Sequence, residues 1–139
     1  SDVLAFEECA TASFGFSSSA AKSALRQGLK ASLIQELAEV STVAPRDLWA
    51  FVGLARTTIL RRVARDDALP LDASVKALQF AELFGLATSV FADADNASAW
   101  LTKAHPALDG ETPMQRARTP WGMDRVRSIL GALQHGGAV

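Results

Sequence analysis

The chain has 139 residues, 49% of them hydrophobic and 21% charged, and a formal net charge of −1. This is the composition of a folded globular protein, and the near-neutral balance excludes a global field that draws the chain to nucleic acid or membrane, so any such binding must come from local clusters. With Cys9 as the single cysteine no intrachain disulfide can form, and with neither a secretory start nor an apolar run of membrane-spanning length the expected location is cytoplasmic, with no membrane partner.

Residues 1–22, Ser-rich from Ser17 to Ser19, read as a flexible leader, ordered only if Phe14 and Phe16 dock. From Ala20 onward the period is helical. Ser32 with Gln35 has the spacing of a capping box, and Leu33, Ile34, Leu37 and Val40 form the stripe of the helix that follows. Ser41 and Thr42 end that helix. Pro45 starts the next at its first position, where a missing amide proton is harmless, and Gly53 stops it.

The stretch "LARTTILRRVARDDALP", residues 54–70, then places Leu54, Ile59 and Val63 inward. Two short helices meeting at a glycine form a helix-turn-helix pattern, the glycine supplying the positive φ of the turn. Arg56, Thr57, Thr58, Arg61, Arg62 and Arg65 are the candidate DNA-binding residues: guanidinium groups suit phosphates, and first-turn threonines sit where base edges are usually read. The competing explanation is an ordinary solvated helix face. Trp49, four residues before the glycine, stands where a small residue normally lets such helices cross closely.

Asp72 is expected to cap the longest helix, which runs to Phe91 and is apolar over so much of its girth that it should be central. Its surplus apolar surface, with the two-fold symmetry common in operators, predicts a homodimer. Asp93 or Asp95 caps a short helix with Trp100 and Leu101. Pro106, Pro113 and Pro120 then fall seven residues apart. Asp109-Gly110 reads as a turn, and Thr112-Pro113 and Thr119-Pro120 each read as a cap plus first helical residue. Met123, Val126, Ile129, Leu130 and Leu133 mark the last helix, and Gly136-Gly137 begin a mobile tail.

No catalytic constellation emerges. His105 and His135 stand alone, Cys9 has no neighbouring base, and no phosphate-binding glycine loop follows a strand. No catalytic residue, cofactor or metal site is therefore expected. Trp100 and Trp121 flank the proline-rich stretch, and with Met114 and Met123 they suit either the core or a partner surface.

The segment from Leu69 to Gly136 resembles the Xre/MbcA/ParS family of bacterial antitoxins. In that family a long helix leads to a "VFGD…A…WL" segment and then to "NPALGG.TPLELL.T..G...V...L..I.HG". The matching residues are Val90-Phe91, Asp93, Ala99-Trp100-Leu101, Pro106-Ala107-Leu108, Gly110, Thr112-Pro113, Thr119, Gly122, Val126, Leu130 and His135-Gly136. Residues 54–63 are similar to the family's "GISRRTLYRRL" recognition segment, with Ala55 in place of its serine cap and Trp49 in place of an alanine. His105 replaces the usual Asn and Asp109 a common Gly.

The resemblance implies an all-α protein: after the leader, an Xre-like helix-turn-helix domain over residues 23–88 that binds operator DNA and dimerises, then a toxin-binding domain over 89–139. The implied partner is a RES-domain toxin, an NAD-degrading enzyme, silenced by occupation of its active site. The residues expected to meet it are Trp100, His105, Pro106, Leu108, Trp121, Arg125, Arg127, His135 and Val139. The alternative is a transcriptional regulator with no toxin partner, whose C-terminal half only dimerises.

Overall fold

The computed structural model describes residues 28–136, and they are helical throughout, with one isolated antiparallel bridge between Lys30 and Ala68. Helices α1 (Ser32–Ser41), α2 (Pro45–Val52), α3 (Arg56–Ala64) and α4 (Leu71–Phe91) come first. They are followed by α5 (Ala94–Leu101), a 3-10 turn (Pro106–Leu108), α6 (Pro113–Arg116) and α7 (Pro120–Gln134). The expected all-α class is the observed one. Two compact units divide between Gly85 and Leu86, inside α4. The leader, residues 1–22, and the tail beyond Gly136 lie outside the described residues.

In the first unit the apolar stripes read from the sequence become the core. Ile34, Leu48, Phe51, Ile59, Leu78, Phe80 and Leu83 are buried, each such side chain stabilising the fold by about 1.5–3 kcal/mol. Phe51 meets Phe80 edge-on at 5.8 Å between centroids, and Phe84 stacks on Phe80 at 6.1 Å, both favoured aromatic geometries.

The start of α1 differs from expectation. Ser32 and Gln35 make no capping box; the residue before the helix is Ala31, already in helical geometry, with no side-chain cap. A backbone bracket fixes the entry instead. Ala31 N–H donates to the Asp67 carbonyl at 3.0 Å and Leu69 N–H to the Leu29 carbonyl at 2.6 Å. Lys30 pairs with Asp66 at 3.0 Å. The entry of α1 is thus clamped to the chain leaving α3, a pairing more than thirty residues long in sequence that no local pattern encodes.

α2 begins at Pro45 and ends at Gly53 (φ 79°), as its sequence implies. A Cβ on Gly53 would meet nothing within 4 Å, so the backbone angle rather than space calls for glycine there. α4 starts at Leu71, which puts Asp72 in its first turn rather than at the cap; the carboxylate still complements the helix dipole. Ala77, Leu78, Phe80, Ala81, Glu82 and Leu83 are all buried, covering the whole girth of α4. That burial takes in the middle of α4, whereas Phe84, Leu86, Val90 and Phe91 remain half-buried and Leu71 is exposed. α4 ends with Ala92 at φ 76°, where the family pattern carries glycine.

The second unit is assembled from short, individually capped helices. Asp93 accepts the Asn96 N–H at 2.7 Å ahead of α5. Thr112 and Gln115 form a reciprocal capping box on α6, with Pro113 at its first position. Thr119 accepts the Gly122 N–H at 3.1 Å ahead of Pro120 and α7. Leu101, Leu108, Met114, Met123, Val126, Ile129 and Leu130 form the buried interior.

Candidate functional site

The first candidate surface is carried by α2 and α3, which pack against each other across the three-residue turn Gly53–Ala55. On α3 burial separates two faces. Arg56, Thr57, Leu60, Arg61 and Arg65 are exposed, Ile59 is fully buried, and Thr58, Arg62 and Val63 are half-buried. Four of the six residues expected to meet DNA thus share an outward face, whereas Thr58 and Arg62 turn toward the protein. Arg62 holds the fold together: its Nη1 donates to the Ala68 carbonyl at 2.7 Å, tying α3 to the segment that brackets α1. Leu60, to which the sequence pattern assigns no role, is one of the exposed large apolar side chains.

Beside this face lies a cleft of about 560 Å³ lined by Gln35, Glu39, Val43, Pro45, Trp49, Arg56 and Leu60, among others. Trp49, the departure from a small residue, occupies this junction half-buried, and its Nε1 is buried with no hydrogen-bond partner among the described residues. A buried indole N–H left unpaired costs about 1–3 kcal/mol.

The second candidate surface follows α5. Trp100 lies between Phe91, at 5.6 Å, and His105, at 5.2 Å between ring centroids. The His105 Nε2 donates to the Trp100 carbonyl at 3.2 Å. Its backbone N–H donates to the Glu111 carbonyl, and its own carbonyl accepts from Leu108 and Gly110. Asp109 (φ 55°) and Gly110 (φ 82°) make the left-handed corner of this loop, and Asp is among the few non-glycine residues that tolerate it. Arg116 then reaches Glu111 at 2.9 Å and Asp109 at 3.7 Å, bracing the loop against α6.

The nine residues expected to contact a toxin fall into distinct places. Trp100 and His105 are brought together, half-buried, and Pro106 is exposed beside them. Leu108 is fully buried; the expectation of a contact residue is corrected to one that holds the 3-10 turn from beneath. Met114 and Met123 are likewise core and offer no partner surface. Trp121 is 75% exposed, the largest apolar side chain so presented among the described residues. Arg125 is exposed one turn further along α7, whereas Arg127 is half-buried and paired with Asp124 at 3.2 Å. His135 is exposed at the C-cap of α7, and Val139 lies outside the described residues.

The feature that local patterning could not supply is the reason for Gly122. A Cβ there would run into the carbonyl of Arg116 and lie 2.8 Å from the Thr119 hydroxyl. The first turn of α7 therefore sits directly on the end of α6, and Trp121 projects from a point where the backbone has no room to move.

Residues 86–136 match the family described as the antitoxin Xre/MbcA/ParS C-terminal toxin-binding domain. Over 112 residues the chain is 29% identical to an antitoxin Xre of Pseudomonas putida (strain KT2440), covering 81% of this chain and 69% of that protein. It is 25% identical over 113 residues to an antitoxin Xre of Photorhabdus laumondii, covering 81% of this chain and 76% of the relative. The chain is thus similar to antitoxins of the Xre/MbcA/ParS type, and its residues 86–136 match their C-terminal toxin-binding domain. The description of the matched domain as toxin-binding supports a toxin as partner. The matched domain begins where the second compact unit does, at Leu86, and takes in both Trp100–His105 and Trp121. Among the described residues no His, Cys, Asp or Glu side chains gather in threes as a metal site, and no single helix is long and apolar enough to cross a membrane.

Proposed function

We propose that this protein is an antitoxin that neutralises a RES-domain, NAD-degrading toxin by occupying its active site, and that it represses its own operon as a DNA-bound homodimer. The observation that carries the first part is Trp121: a large aromatic side chain, three-quarters exposed, on a helix start fixed by Thr119, Pro120 and the contact at Gly122. A rigid aromatic anchor loses little entropy on docking, and such residues dominate interface energetics. Trp121 with Arg125, one turn on, forms the docking edge; Trp100, His105 and Pro106 form a second braced element; His135 and Val139 belong to the end that enters the cleft. Arg127, held by Asp124, contributes less than Arg125.

The test is inhibition of NAD hydrolysis by the cognate toxin, measured with the full chain. Trp121→Ala is expected to weaken the complex about thirtyfold, the effect of losing a central aromatic anchor. Removing residues 134–139 is expected to leave the complex intact while NAD hydrolysis returns, separating anchor from plug. Full inhibition by both variants would contradict active-site occupancy by this end of the molecule.

DNA binding is supported by the outward row of Arg56, Thr57, Arg61 and Arg65 on α3 after the glycine turn. Arginines in that arrangement neutralise phosphates and release counterions, so affinity should fall steeply with salt. A homodimer follows from the same reading, because a pair of such helices matches two half-sites about one DNA turn apart.

A further inference from the structure

Leu60 stands in an unusual place. It is 36% exposed, and its neighbours on the outward face of α3 are Arg56 one turn before, Thr57 three residues before and Arg61 directly after. A single exposed leucine is ordinary on a protein surface; this one shares its helix face with Arg56 and Arg61. Ile59 and the half-buried Val63 already supply the inward face of α3, and Leu60 also lines the cleft, with Val43, Pro45 and Trp49.

We infer that Leu60 reads the C5-methyl group of a thymine in the major groove, between phosphate contacts made by the arginines around it. This rests on the DNA-binding reading above and sharpens it, because it names the base and the atom. The major-groove edge of an A·T pair differs from the others in carrying that methyl, and an apolar side chain is the group that recognises it. Thr57, one turn before Leu60 on the same face, is placed to meet a neighbouring base edge. Arginines held on phosphates give affinity without sequence information, so an apolar residue among them that reaches a base edge adds discrimination.

The experiment uses the full-length chain and a duplex enriched by it from a pool with a randomised centre. Each thymine of that duplex is replaced in turn by deoxyuridine, which differs by the single methyl, and binding is followed by fluorescence anisotropy. At one thymine per half-site the unaltered chain is expected to lose about fourfold in affinity, the worth of one buried methyl. Leu60→Ala should be indifferent to that replacement, while Leu60→Met, still apolar and long, should retain the sensitivity; thermal melts of both should match the parent. Equal uracil losses in the parent and in Leu60→Ala, or none at any thymine, would overturn the assignment of Leu60 while leaving DNA binding in place. No enriched duplex and no salt-dependent binding to any DNA would overturn the DNA-binding reading itself, and this inference with it.

Discussion

The two units begin their helices by opposite means. In residues 28–85, α1, α2 and α3 all lack a side-chain cap; Ala31, Ala44 and Ala55 precede them. In residues 86–136, α5, α6 and α7 are each capped by a side chain, from Asp93, Thr112 and Thr119. The first unit relies on burial of its stripes and on the backbone bracket between residues 29–31 and 67–69. The second divides its chain into pieces as short as four residues, too short to be helical alone, and each needs a local signal to fix where it starts. Precision of that kind suits a surface that must hold Trp121 and Trp100 in place before a partner arrives.

That contrast can be broken most severely at Gly122. Gly122→Ala should destabilise the second unit by about 3 kcal/mol or more, because the added methyl meets the backbone carbonyl of Arg116 rather than a movable side chain. Urea unfolding checks this, and toxin binding should fail together with the fold.

A smaller loss is expected at the cap of α7. Thr119→Ala removes the acceptor for the Gly122 N–H and should lower stability by about 1–2 kcal/mol, again read by urea unfolding, with a weaker hold on Trp121.

The reciprocal experiment sharpens the comparison from the other side. Ala55 already has the extended geometry of an N-cap (φ −71°, ψ 149°) and lacks only a hydroxyl. Ala55→Ser should therefore stabilise the first unit by about 1 kcal/mol, seen as a rise in its melting temperature. If Thr119→Ala is silent and Ala55→Ser gains nothing, caps are not what distinguishes the two units.

The sequence by itself determined what depends on neighbours within a turn. Pro45 and Gly53 bounding α2, an aspartate (Asp93 or Asp95) capping α5, and Thr112-Pro113 and Thr119-Pro120 opening α6 and α7 are all legible, because each is a local signal within a turn of the helix end. The length of α4 is legible for the same reason, as a sustained period. The tertiary structure decided whatever depends on distant partners. Ser32 and Gln35 have the right spacing for a cap, but the Asp67 carbonyl fixes the entry of α1 instead. Arg62 reads as a phosphate ligand until the Ala68 carbonyl is seen accepting a hydrogen bond from it, and Leu60 has no role until the packing of α3 leaves it exposed on the face that carries Arg56 and Arg61. Leu108 reads as a partner contact, and Met114 and Met123 as suited to core or partner surface alike, until the second unit closes over them. Periodicity marks which residues are apolar, and only packing decides which of them meet the chain's own atoms and which are left facing outward.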